Sequence, residues 1–119
     1  MLRVLLIDDE ELEFKLIKLM FRDVYKSEYE LQYAKTVYDA EKLISEKTFD
    51  IILLDDNLAD GSNATTNVPA LKTIASNTPL CIVSKNIDAA HLRDKTILDV
   101  YDVVDKFDLR ARLEHGLMH

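Results

Sequence analysis

Two acidic clusters stand where buried strands should stop: Asp8-Asp9-Glu10 directly after Val4-Leu5-Leu6-Ile7, and Asp55-Asp56 directly after Ile51-Ile52-Leu53-Leu54. Like charges gathered at neighbouring strand ends repel one another unless a cation or a shared proton relieves them. Magnesium takes near-octahedral oxygen coordination with one or two carboxylates, retained waters and phosphate oxygens, and Asp9 with Asp55 supply such a pair. A carboxylate beside that ion can attack a phosphoryl group and become an aspartyl phosphate, provided cationic and hydroxyl groups neutralise the transferring oxygens. Ser84 closes the apolar run Leu80-Cys81-Ile82-Val83 and offers the hydroxyl, while Lys106 follows Val103-Val104 and offers the ammonium. Four strand ends would then converge: Asp8 with Asp9, Asp55, Ser84 and Lys106.

The elements that must position these groups are legible as patterns. Five short apolar runs recur, at Val4 to Ile7, Tyr29 to Ala34, Ile51 to Leu54, Leu80 to Val83 and Val103 to Val104. The first, third and fourth are nearly unbroken Val, Ile and Leu, as in strands covered on both faces; the second alternates and reads as an edge strand. Between them lie helical spacings. Leu12, Leu16, Leu19 and Met20, with Ile17 and Phe21, form a wide apolar stripe. Thr36 can cap a second helix that turns Val37, Ala40, Leu43 and Ile44 inward. A third is expected to begin near Val68-Pro69, since proline suits a first turn, and a fourth after Asp88. The last is expected to start at a capping Asp108, with Leu109, Leu113 and Leu117 four residues apart. Strands alternating with helices imply a doubly wound α/β sheet, and in open parallel sheets the functional crevice lies beyond the carboxyl ends of the strands.

At 119 residues the chain suffices for one domain with one core, and residues 1–119 are read as that domain. Fifteen basic residues against twenty-two acidic ones leave a formal charge of −7, and the basic residues form no run, which disfavours direct contact with nucleic acid. The lone Cys81 sits inside an apolar run and reads as a small buried hydrophobe. No apolar segment of membrane length follows Met1 or occurs later, so neither signal peptide nor membrane span is expected, and a reducing cytoplasm fits best.

At the strand ends the sequence resembles the receiver domains of two-component response regulators. The matching pieces are Val4-Leu5-Leu6-Ile7-Asp8-Asp9-Glu10, Phe49 to Asp55, Asn57-Leu58-Ala59-Asp60-Gly61-Ser62, Pro79 to Ser84, and Asp102 to Lys106, which together span essentially the whole chain. The resemblance implies a flavodoxin-like five-stranded parallel sheet in the order 2-1-3-4-5. It further implies that Asp55 accepts the phosphoryl group and binds Mg2+ and that Asp9 is a direct metal ligand. Asp8 would act mainly through water, and the backbone carbonyl of Asn57 would complete the protein ligands. Ser84 would hydrogen-bond a phosphoryl oxygen, and Lys106 would pair with Asp55 before transfer and with the phosphoryl after it. The implied partners are a histidine kinase or histidine phosphotransfer protein and a downstream protein or output domain. The last would dock on the face of the fourth helix, fifth strand and fifth helix, where Asp102, Asp105 and Arg110 would lie and where a homodimer could form.

Several residues depart from the family pattern. Lys85 follows the serine, where a small residue is usual, and is expected to reach Asp56 or the phosphoryl and partly close the entrance. Val103 stands where many receivers carry a switching aromatic residue, so Tyr101 on the same strand face is the alternative route for output. Phe107 replaces a common proline, and because a cis bond without proline costs about 2.5–4 kcal/mol, the Lys106-Phe107 bond is expected to be trans. Ser62 to Asn67 is polar and weakly patterned and is expected to form a mobile or unusually shaped loop. Asp56 is expected to be solvated, His91, His115 and His119 to lie on the surface, and Tyr25, Tyr29, Tyr33 and Phe21 to pack at the sheet edge.

The leading function is therefore a signalling phosphoacceptor, modified on itself and without substrate turnover. A degenerate receiver that binds partners without phosphorylation is the alternative, favoured by Val103 and Lys85. A magnesium-dependent phosphohydrolase fits least well, because its spaced Asp-x-Asp nucleophile motif after the first strand is replaced here by adjacent Asp8-Asp9.

Overall fold

All five apolar runs become strands of one parallel sheet. In the computed structural model, which describes residues 1–117, these are β1 Leu2–Ile7, β2 Tyr29–Ala34, β3 Ile51–Asp55, β4 Leu80–Ser84 and β5 Asp102–Asp105, ordered β2-β1-β3-β4-β5. β2 is an edge strand as its alternation predicts. The connecting helices are α1 Glu11–Tyr25, α2 Val37–Glu46, α3 Ala64–Ile74, α4 Lys95–Leu98 and α5 Leu109–His115. Both sheet faces are covered, which is why β1, β3 and β4 carry apolar side chains at consecutive positions. Leu5, Ile7, Ile52, Leu54 and Ile82 pack toward α2 and α3. Val4, Leu6, Leu53, Val83 and Val104 pack toward Ile17 and Phe21 of α1 and Leu109 and Leu113 of α5.

The register carries the site. Val4 to Ile7 stand opposite Ile51 to Leu54, so one further step brings Asp8 level with Asp55. On the other side Asp55 pairs with Val83 and Ser84 with Asp105, which leaves Lys106 just beyond β5. Alternation aims successive side chains at opposite faces. Asp55 shares the α1–α5 face with Ile51 and Leu53, whereas Asp56 follows Ile52 and Leu54 toward α3.

The helices depart from expectation in three places. α3 starts at Ala64, four residues before Val68, because Asn63 caps it by accepting the Thr65 N–H at 2.9 Å, and Pro69 consequently lies inside the helix. The Ser62 to Asn67 stretch is thus mostly the first turn of α3, with Asn67 buried and donating to Ser62 Oγ at 2.9 Å. The expected fourth helix is reduced to a 3-10 turn at Ala90–Leu92 and the four-residue α4, whose cap is Asp94. α5 begins at Leu109, but Asp108 makes no side-chain cap. A 3-10 turn over Lys106–Asp108 precedes it, and Asp105 caps that turn through the Phe107 N–H at 2.9 Å.

α1 buries Ile17 and Phe21, while Leu12, Leu16 and Leu19 of the predicted stripe are 68%, 47% and 45% exposed. Its inward face is instead completed by Phe14, whose ring stacks on Tyr33 at 4.2 Å. Tyr25 Oη donates to the Leu113 carbonyl at 3.1 Å and ties α1 to α5. Every peptide bond among the described residues is trans, including Lys106-Phe107. Among the described residues no helix is long and apolar enough to cross a membrane. His119 lies outside the described residues.

Candidate functional site

Three carboxylates meet at the carboxyl end of the sheet. Each of Asp8, Asp9 and Asp55 offers an oxygen, and these oxygens all lie within 4.8 Å of one another. Asp8 and Asp55 are buried at the ends of β1 and β3, two interior strands of the sheet, and Asp9 is half-buried at the entry to α1. The Asp8 backbone N–H donates to the Ala34 carbonyl at 3.0 Å, and its carboxylate accepts the Glu10 N–H at 2.9 Å, which fixes the turn into α1. The set is all oxygen and hard, and suits a magnesium-sized ion.

Burial dominates the electrostatics. It lifts the Asp8 carboxyl to about 6, with the Glu10 N–H opposing, the Asp55 charge adding and Lys106 opposing. Burial also raises Asp55, against the charge and hydrogen bond of Lys106. At Lys106 burial disfavours the charge, yet Asp55 and Asp8 more than offset it and the ammonium is held charged. Its Nζ lies 3.2 Å from Asp55 Oδ1, 3.8 Å from Asp8 Oδ2 and 3.8 Å from Glu13 Oε1. Tyr33 adds a buried hydroxyl with no hydrogen-bond partner, its pKa pushed up to about 12 by burial and by the charges of Asp8, Glu11 and Asp9. That phenol oxygen is an unused acceptor that feels the charges of Asp8 and Asp9, and it suits a metal-bound water, which donates its hydrogens.

Ser84 is buried at the end of β4, and its Oγ accepts the Asn86 N–H at 3.0 Å, which leaves its own O–H free to donate. Asn57 is exposed two residues past Asp55, and its nearby backbone N–H works against the burial that raises the Asp55 carboxyl. Val103 is half-buried against the α3-side core. Tyr101 is 40% exposed at the opposite end of β5 from Lys106, its N–H donating to the Leu80 carbonyl, so it does not adjoin the carboxylates.

Four expected placements are corrected. Asp56 is 2% exposed: its Oδ1 accepts the Ala64 N–H at 3.0 Å, and both its oxygens lie 2.9 Å from His91 Nε2. Alternation does turn it away from Asp55, but with both faces covered, away means under the start of α3. His91 is accordingly an anchoring partner for Asp56, while His115 is exposed. Lys85 turns to α1, with Nζ 3.5 Å from Glu13 Oε1, and bonds neither Asp56 nor Asp55. Arg110 pairs with Asp23 of α1 at 3.3 Å, so it belongs to the α1–α5 side; Asp102 links β5 to α5 and α4 through Arg112 at 2.6 Å and Lys95 at 3.7 Å.

Glu13 was missed as a site residue. It sits four residues after Asp9, and a helix that begins directly after the acidic turn lays its first turn over the strand ends, which is a signal the sequence carries. His91 gives no such signal. Beside Lys106 an apolar cavity of about 300 Å³ opens between Leu16, Met20, Phe107 and Leu109, rimmed by Glu13 and Lys85. Another cleft, of about 560 Å³, lies at the other end of the sheet by Arg3, Lys47 and Phe49, remote from this chemistry.

A flavodoxin-like sheet with acidic groups, a serine and a lysine at its carboxyl edge defines a class of doubly wound domain. The family model of the response regulator receiver domain matches residues 4–115, and the chain belongs to that family. It is therefore a receiver domain of two-component systems, a signalling domain. Among curated proteins no sequence matches it.

Solved structures share the fold. One is the receiver domain of the sensor histidine kinase PA1611 from Pseudomonas aeruginosa, with a magnesium ion in its active site cleft. It matches at TM-score 0.79 and 17% identity, over 96% of this chain and 92% of that one. A LuxR family DNA-binding response regulator from Silicibacter pomeroyi matches at TM-score 0.77 and 21% identity, over 98% and 88%. A response regulator from Burkholderia pseudomallei with a phosphorylated aspartic acid and a calcium ion matches at TM-score 0.70 and 18% identity, over 89% and 60%.

Proposed function

We propose that this domain, spanning residues 1–119, is a cytoplasmic phosphoacceptor that receives a phosphoryl group on Asp55 from a histidine kinase or histidine phosphotransfer protein. The modified domain then changes its affinity for a downstream partner. The observation that carries the reading is the meeting of Asp8, Asp9 and Asp55 within 4.8 Å beside a lysine 3.2 Å from Asp55. Asp8, Asp9, Asp55 and the Asn57 carbonyl would hold Mg2+, which supplies charge neutralisation for the carboxylates and the incoming phosphoryl oxygens. An Asp55 oxygen attacks phosphorus as the bond from phosphorus to the donor breaks. Ser84 donates its O–H to one phosphoryl oxygen, and Lys106 releases Asp55 Oδ1 to pair with another. Water later hydrolyses the acyl phosphate, so the domain modifies itself and turns over no separate substrate.

A second reading, a receiver that binds partners without phosphorylation, is favoured by two observations: Val103 fills the position of a switching aromatic residue, and Lys85 is tethered to Glu13 at the mouth. One experiment separates the two. The protein is incubated with magnesium and acetyl phosphate, or with beryllofluoride, and followed by intact mass and NMR, with Asp55→Asn as control. A one-phosphoryl adduct that requires Asp55 is expected; no adduct and no beryllofluoride response would establish the phosphorylation-independent reading instead.

A further inference from the structure

We propose that Glu13 is a positioning residue for Lys106, the fixed anchor that holds the ammonium at the site while its other two partners change state. This rests on the reading that Asp55 accepts a phosphoryl group. Lys106 touches three carboxylates. Two of them, Asp8 and Asp55, belong to the cluster whose oxygens gather within 4.8 Å, and Asp55 is also the nucleophile. When these oxygens turn to a cation and to phosphorus, they no longer hold the lysine. Glu13 is outside that cluster, so neither the cation nor phosphorus draws it away from Lys106.

Its backbone is well fixed for the purpose. The next residue, Phe14, stacks on Tyr33, and Ile17 one turn later is buried, so the first turn of α1 cannot drift from the strand ends. The Glu13 side chain is only 18% exposed, where an ion pair is screened less than at the surface. Pulling Lys106 toward α1 also opposes its collapse onto Asp55 Oδ1, which would mask the nucleophile. The same Oε1 lies 3.5 Å from Lys85 Nζ, and Lys85 is 60% exposed. The two cations therefore share one oxygen, and Lys85 weakens the hold on Lys106.

Four substitutions and a double mutant test this on the intact chain with magnesium and acetyl phosphate. Glu13→Gln and Glu13→Asp are both expected to lower the maximal rate of Asp55 phosphorylation by about tenfold, the scale of one charge-assisted contact. Glu13→Asp keeps the charge but is one methylene short. Glu11→Gln removes a charge from the same turn without touching Lys106 and should match the wild type. Lys85→Ala should raise the rate, and lose that effect in the Glu13→Gln background.

A readout independent of phosphoryl transfer is the Lys106 ammonium resonance in 15N-lysine-labelled protein, expected to persist in wild type and Glu11→Gln and to broaden in Glu13→Gln. Rates within twofold of wild type for both Glu13 variants, or a normal Glu13→Asp beside a slow Glu13→Gln, would overturn positioning. A wild type that takes no phosphoryl while the resonance behaves as expected would sink the phosphoacceptor reading, and with it the catalytic consequence drawn here.

Discussion

Asp55 and Asp56 are adjacent, chemically identical and both buried, yet they face different elements and different work. Asp55 turns to α1, α5 and Lys106; Asp56 turns to the start of α3 and His91. A carboxylate at 2% exposure is stable only with its oxygens bonded, so removing a partner should cost more than the bond itself is worth. His91→Ala is expected to lower unfolding stability by about 1–3 kcal/mol, the range for orphaning a buried polar group, measured by urea denaturation at neutral pH. Asp56→Asn, which retains an acceptor for Ala64 N–H, should cost less than Asp56→Ala. Equal losses for the two would show that the hydrogen bonds carry no weight. The sequence foretold the direction of Asp56 but not its company, since His91 is 35 residues away and nothing in its neighbourhood marks it.

At the scale of elements, the segment between β4 and β5 is expected to open locally before the longer helices do. It holds a three-residue 3-10 turn and a four-residue helix, with Ile87 37% and Ile97 84% exposed. Helices this short draw almost nothing from propagation and depend on anchors: Asp94 as cap, Leu92 in the core and His91 on Asp56. Backbone amides over residues 86–100 are expected to exchange with deuterium before those of α2 and α3, and to slow on beryllofluoride addition. Uniform exchange across the three segments would refute this.

α3 is the converse case, a helix longer than its sequence advertises. Asn63→Ala should cost about 1 kcal/mol, as loss of an N-cap does, readable as a lower urea midpoint. Proline at position 69 drew the expected start of α3 too far along the chain, because a proline preference for first turns is weaker than a satisfied cap at Asn63 together with Asp56 receiving the Ala64 N–H.

For the whole molecule, burying carboxylates at one end of the sheet makes stability depend on pH and on cations. The Asp8 carboxyl, raised from its ordinary 3.8 to about 6, binds its proton more tightly folded than unfolded. Its contribution is therefore most favourable below about pH 4 and is lost as pH rises through about 6, on the order of 3 kcal/mol. Asp55 shifts in the same direction. Asp102, burial notwithstanding, is held below the ordinary carboxylate range by Arg112, so its pair survives above pH 5. Between pH 5 and pH 7.5 the melting temperature without magnesium should fall. Magnesium should restore it at pH 7.5 and do much less at pH 5, where protons compete for the same oxygens. A flat profile, or an equal magnesium effect at both values, would contradict this account. Asp55→Asn, which removes one of the crowded charges, should flatten the profile.

What the linear chain determined is whatever repeats at short range. Unbroken Val, Ile and Leu runs require two covered faces, which gives a parallel sheet, and runs ending in Asp, Ser and Lys put those groups at its carboxyl edge. Tertiary structure decided what depends on which distant surfaces meet: Asp56 against His91, Glu13 between Lys85 and Lys106, and Phe14 in place of Leu16 on the inner face of α1. Side-chain alternation and helical spacing are local properties of backbone geometry, whereas the partner that a side chain finds is set by the packing of the sheet and helices as a whole.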